Sequence, residues 1–156
     1  MSLYADHRRP PHLLADAMGL MRTEQGTCAG EHATRVMLAM GSEDAKVVAI
    51  LHGAQTVSRG LLRELLPERL LMAVAAFSRA QDESNDVYFD AILADPLAVE
   101  VKLACLGDLA DPSQLAETDV FSARRTIREC TDAAHKLGTS LPAVLARWDS
   151  GRSPYA

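Results

Sequence analysis

Apolar residues return every three or four positions along most of this chain, a spacing that puts them on one face of an α-helix. Leu13, Leu14, Ala17, Met18 and Met21 form such a stripe and predict a helix from His12 to Arg22. A loop with two glycines, TEQGTCAG (23–30), follows, and a second helix is expected from Glu31 to Met40, stopped by Gly41. Ser42 reads as an N-cap, with Glu43 and Asp44 in the first turn behind it. The helix it opens is apolar all round from Val47 to Leu51, which marks it as the buried core helix.

The second half repeats this grammar. Ser58 caps a short helix, RGLLRELL, and Pro67 suits the first position of the next, PERLLMAVAAFSRA. A polar loop, QDESND, separates it from the short helix VYFDAILA. Asp95-Pro96 is an N-cap followed by a first-turn proline, opening PLAVEVKLACLGDLA, and Asp111-Pro112 punctuates the chain again. Thr118 or Asp119 opens VFSARRTIRECTDAAHKL, Gly138 stops it, and LPAVLARW is a last short helix. No stretch alternates as a strand does. The pattern predicts an all-α bundle of about seven to nine helices in one domain over residues 11–148, with an N-terminal arm (1–10) and a C-terminal tail (149–156).

Composition agrees with this. Of 156 residues 48% are hydrophobic and only 4% aromatic, and Ala and Leu, both good helix formers, dominate. The net charge of −5 argues against a nucleic-acid partner. No apolar run reaches the roughly 18 residues of a membrane span, and the first residues lack the apolar core of a signal peptide. A cytoplasmic protein is the expectation. Cys28, Cys105 and Cys130 are widely spaced and odd in number, with no CxxC, so reduced thiols are expected. P-loop, GxGxxG and GxSxG motifs are absent.

Three segments carry a family resemblance: EHATRV (31–36), AILHGAQTVS (49–58) and DPLAVEVKLACLGDLADP (95–112). Their order and spacing resemble the hydrolase domain of RelA/SpoT-type proteins, within the HD superfamily of metal-dependent phosphohydrolases. The resemblance spans about residues 12–112. It implies an all-helical HD-type fold and, in intact members, manganese-dependent removal of the 3′ pyrophosphate from guanosine tetraphosphate. His32 and His52 fall where the family has its first two metal ligands. Gly26 falls on the glycine of its substrate-binding loop, and Lys102 matches a family lysine. Arg22, offset by one residue, falls near the basic phosphate-binding position.

The acidic groups of that site are missing. Gly53 stands where the family has an Asp directly after the second histidine, and Cys105 stands at a further Asp. Thr56 and Val57 replace a Glu-Asp pair that activates and positions water. Leu109 replaces an Asn. Glycine has no ligand atom, and valine cannot move a proton. A general acid or base contributes roughly 10²–10⁴ in rate and a metal several kcal/mol more. The resemblance therefore supports the fold and argues against the family's reaction.

Two functional expectations follow. The first is a non-hydrolytic binding module without a cofactor, acting on a guanine nucleotide or a protein partner, with Arg22, Arg35 and Lys102 as candidate ligand-binding residues. The second is a rebuilt phosphohydrolase holding manganese or zinc. His32, His52 and Cys105 would form a His₂Cys set suited to zinc, and Asp108, one turn beyond Cys105, is a further candidate ligand. The plainer alternatives are a Cys105 packed as a small apolar core residue and an Arg35 paired on the surface with Glu31. Arg124, Arg125 and Arg128 read as a solvated stripe, with Glu129 and Asp132 close by, and His135 as structural. Helices with Ala/Leu faces also suit a homodimer.

Overall fold

A computed structural model describes residues 10–22, 26–53 and 57–152. The arm before residue 10, residues 23–25 of the glycine loop, Thr56 and the tail from residue 153 lie outside these. Among the described residues the fold is all-α, with ten helices in one domain and no strand. In chain order they are α1 (Pro10–Leu20), α2 (Cys28–Ala39), α3 (Glu43–Leu51), α4 (Arg59–Leu65), α5 (Glu68–Ala75), α6 (Asn85–Leu93), α7 (Pro96–Leu109), α8 (Pro112–Leu115), α9 (Val120–Lys136) and α10 (Leu141–Arg152).

Ten helices exceed the expected seven to nine because one-turn α8 grows from Asp111-Pro112. The Asp111 carboxylate accepts from the Ser113 backbone N–H at 2.9 Å, so this pair opens a helix instead of merely breaking the chain. Helix α2 starts inside the expected loop. Thr27 accepts from Gly30 N at 3.0 Å and caps it three residues early. Pro67 is the cap of α5 and not its first residue. Helix α10 runs past Trp148 to Arg152. Ser42, Asp95 and Asp119 cap α3, α7 and α9 as their positions predict. Gly138 ends α9 at φ +77°, in the left-handed region that favours glycine.

The core sits on α3 and α7. Helix α3 buries Ala45 and every residue from Val47 to Leu51, and it packs against α1, α2, α5 and α7. One apolar cluster runs from Leu13 through Val36, Val48, Ile50 and Leu70 to Val101 and Cys105. A second, of Leu106, Ala110, Cys130, Ala134, Leu141 and Val144, joins α7 to α9 and α10. Burying a Leu, Ile or Val side chain is worth about 1.5–3 kcal/mol, so these two clusters dominate stability. A Cβ built on Gly107 would lie 2.7 Å from Cβ of Trp148, so only glycine lets α10 come this close to α7. Trp148 then donates its indole N–H to Asp111 at 2.9 Å, and Arg152 pairs with the same carboxylate.

Candidate functional site

The site lies where α2, the end of α3 and the second half of α7 meet. His32 and Arg35 are three residues apart and share one face of α2. Cys105 and Asp108 are likewise three apart on α7. His52 is the C-cap of α3. Packing of α2 and α3 against α7 brings all five side chains together.

Asp108 is the hub. It is 1% exposed. His32 Nδ1 lies 2.6 Å from its Oδ2, Arg35 Nε donates to Oδ1 at 2.7 Å, and an Arg35 terminal nitrogen donates to Oδ2 at 3.0 Å. Burial alone pushes the carboxyl pKa up. The bonds from His32 and Arg35 outweigh burial and hold it below the usual range. Hydrogen bonding to Asp108 raises the Arg35 pKa in turn, against the opposing effect of burial. The expected surface pair of Arg35 with Glu31 is therefore replaced by a two-point bond to a buried carboxylate, which gains more because the fork matches the carboxylate plane.

His52 forms the second half. Its Nδ1 lies 2.5 Å from the carbonyl oxygen of Ala49. A carbonyl only accepts, so Nδ1 carries the proton and Nε2 keeps its lone pair. That lone pair faces Cys105 Sγ at 3.3 Å. Burial lowers the His52 pKa to about 4, against the raising effect of its bond to the Ala49 carbonyl, and His32 and Lys102 add to the lowering. Burial pushes the Cys105 thiol up to about 12. The pair therefore rests as a neutral imidazole accepting from a protonated thiol. The Phe77 ring packs 5.2 Å from that of His52, and the His32 ring stands edge-on to it at 5.5 Å.

One ligand atom each from His32, His52 and Cys105 lie within 4.8 Å of one another. With His32 Nδ1 turned to Asp108, its free nitrogen is Nε2. A carboxylate behind a histidine in this way is the usual outer support of a metal-bound imidazole. Tetrahedral zinc, with bonds of about 2.0–2.3 Å, needs donors roughly 3.3–3.8 Å apart. The three donors could hold zinc once drawn closer together. The set does not fit manganese, a hard cation that wants carboxylate oxygens, because Asp108 is spent on His32 and Arg35.

The structure places the remaining candidates as follows. Asp108 stands behind His32, outside the converging donors. The Lys102 ammonium sits 5.2 Å from the Tyr88 ring centre and 5.9 Å from that of Phe89, a cation–π arrangement on the α6 side of α7. Arg22 is exposed just beyond α1. Gly26 takes φ +83°, which glycine tolerates best. Gly53 is exposed, and Val57 packs against the first core cluster. Sequence reading missed the tie from Asp108 to His32 and Arg35. The matching three-residue spacings on α2 and α7 were the available signal.

No family model matches this sequence, and no curated protein matches it either. Among the described residues no helix is long and apolar enough to cross a membrane.

Proposed function

We propose that this chain is a non-hydrolytic relative of the HD-type phosphohydrolases and works as a binding module, for a guanine nucleotide or a protein partner. One observation carries the reading. The carboxylate at the centre, Asp108, is buried and fully engaged by His32 and Arg35. It is not free to take a proton from water. Gly53, Cys105, Val57 and Leu109 offer no carboxylate in its place. Incubated with guanosine tetraphosphate and manganese, the protein should release no pyrophosphate. Release that disappears in a His52→Ala protein would overturn the reading. Binding without turnover should show as a thermal shift with the same nucleotide that needs no metal.

A second reading rests on the convergence of His32, His52 and Cys105. Here the centre holds zinc through two imidazoles and one thiolate. Zinc bound there would supply a Lewis acid and a water of lowered pKa. The chain's own residues orient the donors: Asp108 fixes His32, Ala49 fixes His52, and α7 presents Cys105. Elemental mass spectrometry on protein purified without chelator separates the two readings. Near one equivalent of zinc, lost in Cys105→Ala, favours the second. Less than about a tenth of an equivalent leaves the first.

A further inference from the structure

Helix α9 buries Cys130, Ala133 and Ala134 against the fold and turns its opposite face to solvent. Its first half, VFSARRTIR (120–128), contains three arginines and no acid, on a chain whose net charge is −5. Phe121 is 84% exposed, more than any other large apolar side chain among the described residues, and Val120 beside it is 63% exposed. A solvated stripe accounts for Arg124, Arg125 and Arg128, but not for an aromatic ring set among them. A ring left in water forgoes the gain of burial.

At 3.6 residues per turn, Val120, Phe121, Arg124, Arg125 and Arg128 fall within an arc of about 140°. All five are exposed, and Ile127 at the edge of the arc is half-exposed. Arg124 and Arg128 make no ion pair among the described residues, and Arg125 reaches only Glu129, at 3.9 Å. The neighbouring acids bound the patch without filling it. Asp119 is turned back onto Ser122, accepting from its backbone N–H at 2.9 Å, and Asp132 lies one turn beyond Arg128. An apolar tip flanked by unpaired guanidiniums fits a surface that is negative outside and apolar beneath. A bilayer with anionic headgroups is such a surface. Apolar and aromatic side chains enter its acyl boundary, and arginines leave their guanidinium groups at the phosphates. A bilayer also closes around a protruding ring, whereas an acidic protein would need a pocket already shaped for it.

We propose that the first half of α9 docks this protein on an anionic lipid bilayer, with Val120 and Phe121 in the interface and Arg124, Arg125 and Arg128 on lipid phosphates. The helix lies on the membrane and does not cross it. The net negative charge of the chain does not forbid this, because charges farther away than about 8 Å are screened at physiological salt. None of these residues belongs to the His32–His52 centre, and the test leaves that reading untouched.

The full chain is sedimented with large vesicles of phosphatidylcholine, alone or with about one third phosphatidylglycerol. Binding to the anionic vesicles only, released by about 0.5 M salt, is expected. An arginine near an anionic surface is worth about a fivefold change in binding, so Arg124→Gln combined with Arg128→Gln should weaken it about 25-fold. Phe121→Ser should weaken it about tenfold. Leu38→Ser, which alters another exposed apolar residue, should change nothing. In Phe121→Trp the new indole emission should shift to the blue on anionic vesicles, which a contact through arginine alone does not produce. All the substituted side chains are exposed, and unchanged melting confirms folding. No binding at about 10 mM anionic lipid in low salt would sink the proposal. So would equal binding to both kinds of vesicle, or a loss in Leu38→Ser as large as in Phe121→Ser. A dimer in lipid-free sedimentation velocity that Phe121→Ser dissolves would assign this face to a second copy of the chain and overturn it as well.

Discussion

Asp108 answers two nitrogen donors, His32 and Arg35, with one carboxylate, and its burial makes that exchange costly to disturb. Asp108→Asn leaves Arg35 without a counter-charge. Because the Arg35 side chain is 35% exposed, water recovers part of the loss, and the expected destabilisation is about 2 kcal/mol. Urea midpoints of parent and variant measure it, and an unchanged midpoint would show that the hub contributes nothing. That Arg35 and His32 share a helix face was readable from their spacing. That they share Asp108 was not, because it depends on how α2 packs against α7. His52 yields a pH prediction of definite sign. In the unfolded chain it takes a proton near pH 6.5, but in the fold only near pH 4. Between those values the unfolded state holds more protons, so stability falls as pH falls, by about 3 kcal/mol in all. A His52→Gln protein should lose that slope in denaturant titrations from pH 7 to 4. The depressed Asp111, at about 2, adds its own loss only further down, as pH drops below its ordinary 3.8.

At the scale of single helices, ends were more readable than contacts. A side-chain oxygen before a helical stripe binds its own next turn, so Ser42, Asp95 and Asp119 declare themselves locally. Thr27 did not stand out, because Gly26 and Gly30 around it look like loop and apolar periodicity begins later. The length of α10 was hidden for another reason. Its last turn is polar, and it holds because Arg152 reaches Asp111 across the fold. The Gly107–Trp148 contact likewise joins residues far apart in sequence. Gly107→Ala places a methyl where Trp148 already is. The expected cost is about 1–3 kcal/mol by overpacking, with a shift in Trp148 emission as the indole leaves Asp111. A variant that melts with the parent and keeps its emission would mean that α10 can retreat without penalty. Asp119→Ala, which removes the cap from α9, should cost about 1 kcal/mol without altering that emission.

Across the whole molecule, the two large apolar clusters share α7. Val101 and Cys105 belong to the first, and Leu106 and Ala110, one turn on, to the second. Neither cluster can come apart without stripping a face of the same helix. Denaturation followed by Trp148 emission, which watches the α10 side, should therefore coincide with helix loss by circular dichroism. Two separated transitions would show that the halves melt independently. The same sharing sets a hierarchy of motion. Backbone amides in the centre of α7 can meet solvent deuterium only when both halves open at once, so their exchange should track global unfolding. The start of α9, where Val120 is 63% and Phe121 84% exposed, has little to hold it and should exchange orders of magnitude sooner.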